Sequence, residues 1–356
     1  MKHALTALVI VAAVAQAPAQ ADGPVPGAGE ATSGIWLNRH LMASGEAAIA
    51  EFIETCAERG IDVIMPNFWF HGHLLYPGSD LAPQHPDFVG WDPMAVTVRE
   101  AHARGLMVWP WAEYGFFVHY NREQGDETDC GWVLEAHPGW RVENASGEIA
   151  LWNEDLGVNH FMVNPAVPEA REFIASVLLD VASRYEVDGI NLDRIRYMGP
   201  DWGHDEVSQA AFEADARISH GSPSAFASWR RLVINDFMRE FDARWRVAHP
   251  GLPITAAVNP PHMLEEKSQH WADWLREGTL DLAIPMIYGG EDLVRREVGL
   301  SMGFLAEGMP LWAGLDAAQG AEALATQVQT AQECGATGWA IWDEQAFVRG
   351  GFAFAP

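Results

Sequence analysis

The stretch Asp188-Gly189-Ile190-Asn191-Leu192-Asp193-Arg194-Ile195-Arg196-Tyr197 decides how the rest of this 356-residue chain is read. Strand alternation sends Gly189, Asn191 and Asp193 to one face, and Ile190 and Leu192 to the other. A strand that buries Ile and Leu on one side and turns Asn and Asp inward on the other is unusual. It ends in a carboxylate followed by two arginines and a tyrosine, which reads as the rim of an active site. In a (β/α)8 barrel the C-terminal end of a strand is where chemistry sits. The simpler alternative is an Asp that caps the following loop, and the remainder of the chain discriminates between the two.

Working outward, eight strand-like segments alternate with helical ones. The strands are expected over residues 34–38, 62–69, 106–113, 188–193, 253–259, 280–288, 310–316 and 337–343. Amphipathic helices are expected over 45–59, 93–104, 168–185, 226–248, 270–277 and 322–334. This alternation implies parallel βαβ units, and eight of them imply one closed α/β barrel over residues 32–356, with no tandem repeat and no second domain. Three loops are long: residues 70–91, 114–166 and 194–225, following the second, third and fourth strands. The middle one includes a hairpin expected around Asn144-Ala145-Ser146-Gly147. Long loops inside such a domain usually serve binding.

Residues 1–21 read as a signal peptide: a short basic n-region (Lys2, His3), an apolar run over 4–15, and Ala19-Gln20-Ala21 as the cleavage pattern. Residues 22–31, rich in Gly, Pro and Ala, read as a flexible lead-in. A periplasmic or secreted protein follows, with no transmembrane segment, because no later apolar run is long enough to span a bilayer. The formal charge of -27 argues against nucleic acid and anionic membrane surfaces as partners. A monomer or weak oligomer is expected. The three cysteines have no CxxC spacing and define neither a disulfide framework nor a zinc knuckle; Cys56 and Cys334 fall in helical patterns and Cys130 in a loop.

The chain also carries 16 tryptophans. Trp36, Trp69, Trp91, Trp109, Trp111, Trp312 and Trp342 fall at strand ends or in long loops, where indole faces could stack on sugar rings. The competing reading is that many of them are large core side chains.

Each expected strand ends in a polar or aromatic residue: Arg39, Asn67, Glu113, Asp193, Asn259, Tyr288, Asp316 and the pair Asp343-Glu344. Buried carboxylates at several strand ends are costly to keep for stability alone. Cleavage of a glycosidic bond needs one carboxyl that is protonated near neutral pH and one that is ionised. Asp193, beside Arg194 and Arg196, suits the ionised role if a guanidinium turns towards it. Glu113 follows Trp109-Pro110-Trp111-Ala112, an apolar approach that raises a carboxyl pKa, and suits the acid. Glu344 and Asp343 are reserves. Sugar-binding roles are expected for Asn67, Trp69, His71, Trp111, Asn191, Arg196, Tyr197, Asn259, Tyr288, Trp312, Asp316 and Trp342. His71-Gly72-His73, with His262 as a third ligand, supports an alternative metal-dependent hydrolase. The HxH follows the second strand rather than the first, so no metal is the preferred reading.

A further set of segments is Gly34-Ile35-Trp36-Leu37, Asp92-Pro93-Met94, Glu100-Ala101-His102-Ala103-Arg104-Gly105-Leu106, His137-Pro138-Gly139-Trp140 and Asp188-Gly189-Ile190-Asn191-Leu192-Asp193. Trp229-Arg230-Arg231 with Asn235, Trp274-Leu275-Arg276-Glu277-Gly278 and Pro285-Met286-Ile287-Tyr288 follow in order. In this order the set resembles the glycosyl-hydrolase-like family 10 proteins, most clearly over residues 33–288. The resemblance implies a TIM barrel that acts on glycans, with peptidoglycan strands or other envelope or environmental polysaccharides as substrates. A non-catalytic glycan-binding barrel is the alternative. Many members of that family carry Asp-Asp-Tyr after the fourth strand, whereas here Asp193 is followed by Arg194 and Ile195. Only the first carboxylate carries over, and Glu113 stands where many members have Asn.

Overall fold

The computed structural model describes residues 32–352, so the expected signal peptide, the lead-in and the last four residues lie outside the described residues. The first strand, β1 (Ser33–Leu37), is buried at every position, as a strand covered on both faces must be. It pairs in parallel with β2 (Val63–Pro66) on one side and, on the other, with the last strand, β8 (Gly338–Trp342). That pairing of first with last closes the sheet on itself. The third strand, β3, is formed in two pieces, Met107–Val108 against β2 and Trp111–Ala112 against β4 (Ile190–Leu192). Between them lies Pro110, which has no N–H to offer a ladder. β4 pairs with β5 (Ile254–Val258), β5 with β6 (Leu282–Pro285), and β7 (Trp312–Asp316) with β8. The remaining seam, β6 to β7, is held by bridges Ala283–Leu311 and Met286–Gly314. All eight expected strands are present and parallel.

A helix follows each strand: α1 (Glu46–Glu58), α2 (Pro93–His102), α3 (Pro168–Arg184), α4 (Ala225–Ala248), α5 (Trp271–Glu277), α6 (Glu291–Gly303), α7 (Ala321–Glu333) and α8 (Glu344–Gly350). Local sequence sets their starts. Asp92 accepts the Ala95 N–H at 2.9 Å and Pro93 occupies the first turn of α2, which satisfies one of the otherwise orphaned donors there.

The long loop after β3 folds into a three-stranded antiparallel sheet of Phe117–Asn121, Val158–Met162 and Leu151–Asn153. Its regular hairpin therefore joins residues 153 and 158. The turn at Asn144 does form, with the Asn144 side chain accepting the N–H groups of Ser146 and Glu148, but it is flanked only by isolated bridges. Cys56 and Cys130 are buried, whereas Cys334, at the end of α7, is half-exposed; all three thiols are free.

The barrel interior is filled by indoles. Trp36, Trp109, Trp111 and Trp312 are all at most 4% exposed and cluster with Met65, Met107 and Ile284. Room for them comes from small residues on neighbouring strands. A Cβ at Gly338 would stand 2.4 Å from the Trp312 indole nitrogen, and one at Gly189 would stand 2.9 Å from Trp109. This large-against-small packing explains the tryptophan count, because interiors are filled to crystal-like density. Trp109 and Trp312 stack at 5.4 Å and border a cavity of about 430 Å³ at the strand starts, the end opposite the expected chemistry. Among the described residues no helix is long and apolar enough to cross a membrane.

Candidate active site

The strand β4 ends one residue before Asp193, and the inward side chains of Asn191 and Asp193 occupy successive levels of the barrel. Asn191 lies fully inside: it donates to the Thr255 hydroxyl at 2.9 Å and accepts the Trp36 indole N–H at 3.0 Å. Asp193 sits at the mouth, 5% exposed. One carboxylate oxygen accepts the Arg194 backbone N–H at 2.5 Å and an Arg196 guanidinium N–H at 3.2 Å, and the other accepts the Trp111 indole N–H at 3.3 Å.

Glu113 follows β3 at the same level and is 9% exposed. The Asn67 amide, at the end of β2, donates to one carboxylate oxygen, and Arg194 approaches the other at 3.9 Å. Glu344 opens α8 directly after β8 and is 1% exposed, with one carboxylate oxygen unpartnered. Its predecessor Asp343 is the N-cap of α8, accepting the Ala346 N–H at 2.7 Å, so that carboxylate is committed to the helix start.

Burial dominates the electrostatics of all three buried carboxyls. It pushes Glu113 up to about 7, reinforced by the negative charge of Asp193 and opposed by Arg194, Arg39 and the Asn67 hydrogen bond. It pushes Glu344 up to about 7, with Asp343 and Glu113 adding repulsion. It also raises Asp193, although Arg196, Arg194, the Arg194 N–H and Trp111 all pull the other way. Arg196 therefore does turn to Asp193 as its position in the sequence implies, but desolvation outweighs that attraction. Asp193 is the carboxyl most surrounded by donors, and Glu113 and Glu344 are those with an ordinary acid's proton still held near neutrality.

Two backbone features bring β3 and β4 together at the mouth. Gly115 has φ +39°, and a Cβ there would stand 2.1 Å from the Asp193 carbonyl oxygen. Only glycine lets the two loops touch at this point. Arg194 itself has φ +51°, a left-handed conformation that costs a side-chain-bearing residue energy and that persists when neighbours over-determine it.

Several residues expected at the mouth lie elsewhere. Trp69 is fully buried, its indole N–H donating to the Gly115 carbonyl at 3.2 Å and its ring edge-on to Phe173. Trp312 begins its strand and faces the opposite end of the barrel. Tyr197 is fully buried with Arg230 over its ring at 5.3 Å. Asn191 and Asn67 are fully enclosed, the former bracing the lumen and the latter holding Glu113. Asn259 is locked to Gln269 at 2.8 Å. Trp36 and Trp109 are likewise lumen residues, and Trp91 packs on Phe88.

The mouth itself is completed by Trp111, the half-buried Trp342, Arg196, Asp316 and Tyr288, which is 40% exposed and lies within the fields of Asp193, Asp316, Arg196 and Glu113. Asp316 also accepts the Ala318 N–H at 2.8 Å. Of the indoles that sequence position singled out, Trp111 and Trp342 stand at the mouth and the other five do not.

The metal reading meets a different arrangement. His71 stacks on His119 at 4.2 Å and bonds the Tyr120 carbonyl at 2.8 Å, while His73 bonds the His71 carbonyl at 2.7 Å. His262 faces Glu297 at 3.0 Å. These three imidazoles are not brought together, and among the described residues no three His, Cys, Asp or Glu side chains converge as a ligand set. Burial pushes His71 down to about 3, which keeps it neutral.

Sequence reasoning missed two contributors, Tyr114 and His160, and named Arg39 only as a strand-end residue without a role. Arg39 places its charge near Glu113 while stacking on Phe70 at 4.2 Å. Tyr114 carries the Arg194 guanidinium on its ring face at 4.2 Å. His160, from the sheet after β3, is buried beside Arg194 and Arg196, which with burial push it down to about 3.

A closed (β/α)8 barrel with buried carboxyls gathered at its strand ends is the architecture of a TIM-barrel hydrolase-like protein. The overall fold is similar to the glycoside hydrolase domain of PgaB (BpsB) from Bordetella bronchiseptica, with a TM-score of 0.69 at 12% identity over 92% of this chain and 100% of that one. It is also similar to α-L-fucosidase isoenzyme 2 from Paenibacillus thiaminolyticus, with a TM-score of 0.65 at 16% identity over 91% of this chain and 48% of that one. The glycosyl hydrolase-like 10 model matches residues 33–295, and the chain belongs to that family. It is 26% identical to glycosyl hydrolase YngK of Bacillus subtilis over 216 residues, 56% of this chain and 39% of the relative. It is 25% identical to glycosyl hydrolase DigH of Escherichia coli K12 over 236 residues, 60% of this chain and 50% of the relative. The matches thus span half or less of these relatives' length.

Proposed function

We propose that this protein is a glycoside hydrolase that cuts O-glycosidic bonds in a polysaccharide or peptidoglycan-type glycan with two carboxyls, Glu113 as general acid and Asp193 as the ionised partner. The observation that carries this reading is the pair's unlike surroundings at one mouth. Asp193 accepts three N–H donors, two of them from Arg194 and Arg196. Glu113 is held by burial at about 7, the range in which a carboxyl still has a proton to give at neutral pH.

In this reading Glu113 gives its proton to the glycosidic oxygen as the bond from that oxygen to the anomeric carbon breaks, and the leaving sugar departs as an alcohol. Asp193 faces the positive charge that develops at the anomeric carbon. Water then adds to that carbon, and the proton it releases restores Glu113. Asn67 and Arg194 orient Glu113, Trp111 and Arg196 orient Asp193, and Tyr288 and Trp342 offer exposed surface for a sugar ring. Export to the periplasm or beyond, through the expected signal peptide, fits an envelope or environmental glycan.

The test is product release from denuded peptidoglycan strands and a panel of polysaccharides by the wild-type chain, Asp193→Asn and Glu113→Gln. The expected loss is a hundredfold or more for each variant. Equal release by wild type and Asp193→Asn would refute the assignment. Tight binding without release by any of them would favour a glycan-binding barrel.

A further inference from the structure

We propose that Arg194 is the positioning residue that ties the two carboxyls into one unit: its main chain fixes Asp193, and its guanidinium receives the charge Glu113 acquires on giving up a proton. The proposal rests on the hydrolase reading above and deepens it.

Four observations converge on this residue. Its backbone N–H donates to Asp193 at 2.5 Å, and its guanidinium stands 3.9 Å from Glu113 on the neighbouring strand end. That guanidinium stands over the Tyr114 ring at 4.2 Å, with Phe117 at 5.4 Å, so its direction is set by aromatic faces and not by solvent. Its left-handed backbone is clamped by the close approach of Gly115 and by the Phe116 N–H, which bonds the Arg194 carbonyl at 3.4 Å. One guanidinium nitrogen, Nη1, is buried with no hydrogen-bond partner, so the side chain keeps a donor in hand. A strained residue fixed from three sides, whose main chain holds one carboxyl and whose side chain reaches the other, has been placed at a cost that loop closure alone does not require.

The chemistry follows from the proton balance. Before cleavage Glu113 is neutral and its interaction with Arg194 is weak. When the proton passes to the glycosidic oxygen, a carboxylate is left in a buried site where desolvation disfavours charge. The groups that face it are Arg194, Arg39 and the Asn67 amide, which favour the carboxylate, and Asp193 and Glu344, which oppose it; Tyr288 faces it from β6. Arg194 is the cation that contacts it, so Arg194 sets how readily the proton leaves. When water adds to the anomeric carbon its proton returns to Glu113, and the ion pair is dissolved.

The experiment titrates Glu113 directly by NMR in the full chain labelled with 13C at glutamate carboxyls, with E113Q to assign the signal. In R194M the Glu113 midpoint is expected to rise by about one pH unit, a tenfold change in proton affinity, and in R194K by clearly less because the charge is kept. Should R194M fail to fold, R194Q, which is neutral and planar, carries the same expectation. The alkaline limb of kcat/KM on whichever panel glycan is cut should move upward with the midpoint. A merely structural Arg194 would lower activity without moving either. An unmoved midpoint in a folded neutral variant of an active enzyme overturns the role of Arg194 alone. A midpoint that moves in the neutral variant while the wild-type chain cuts no glycan overturns the hydrolase reading, and with it the role in turnover.

Discussion

Replacing Glu113 by Gln should make the protein more resistant to unfolding at alkaline pH, and the size of the effect follows from the site. Burial raises the Glu113 carboxyl from an ordinary 4.5 to about 7. Between those values the folded protein keeps a proton that the unfolded chain releases. The stabilisation from this group is therefore complete below about pH 4.5, declines as pH rises, and is gone above about 7. A gap of about 2.5 units at 1.36 kcal/mol per unit corresponds to a loss on the order of 3 kcal/mol. Gln has nearly the same shape, can still pair with the Asn67 amide, and does not ionise. Urea unfolding at pH 5, 6, 7 and 8 should thus show the wild type losing markedly more stability across the series than the variant. Glu344, raised to a similar degree and adjacent in charge, should behave alike, and the Glu113→Gln, Glu344→Gln double variant should be flatter still. Identical losses in wild type and both single variants would refute the claim that these carboxyls are forced to hold protons by burial. The same substitution removes the proposed acid, so gained stability and lost turnover in one variant would mark a site kept at the expense of the fold.

Three further outcomes are expected. Gly338→Ala, whose Cβ would meet the Trp312 indole at 2.4 Å and the Thr32 carbonyl at 2.5 Å, should lower the denaturation midpoint by an amount corresponding to about 1–3 kcal/mol while leaving KM unchanged. Asn191→Ala strands the Trp36 N–H inside the barrel, while the Thr255 hydroxyl keeps its bond to the Ile190 carbonyl at 2.8 Å, and should cost about 1–3 kcal/mol by the same assay; a neutral result would mean the lumen network is not a bracing one. Gly115→Ala should separate the loops after β3 and β4 and depress kcat more than it depresses stability, because the added Cβ displaces the Asp193 and Arg194 backbone that the site depends on.

The class of fold was readable from short-range patterns. Strands buried on both faces are near-continuous apolar runs, and their spacing by helices leaves few alternatives to a parallel barrel. That Asp193 and Glu113 end their strands was readable for a related reason: a carboxylate ending an otherwise buried strand violates the pattern around it. The tryptophans were not readable. Indole at a strand end suits a sugar-binding face and a packed lumen equally well, and only the glycines opposite it on other strands, such as Gly338 against Trp312, decide which is built. Tyr197 and Trp69 were misplaced because their burial depends on α4 in the one case and on the turn after β3 and on α3 in the other, all distant in sequence.

What the chain determines by itself, then, is periodicity, and through it the barrel and the level at which Asp193 and Glu113 emerge. The tertiary structure decides direction and environment. Whether Arg194 turns to Asp193 or to Glu113 depends on the Tyr114 ring beneath it and on a glycine loop from the neighbouring strand. Whether a carboxyl keeps its proton depends on how much water the assembled barrel removes from around it, a sum over residues drawn from every strand.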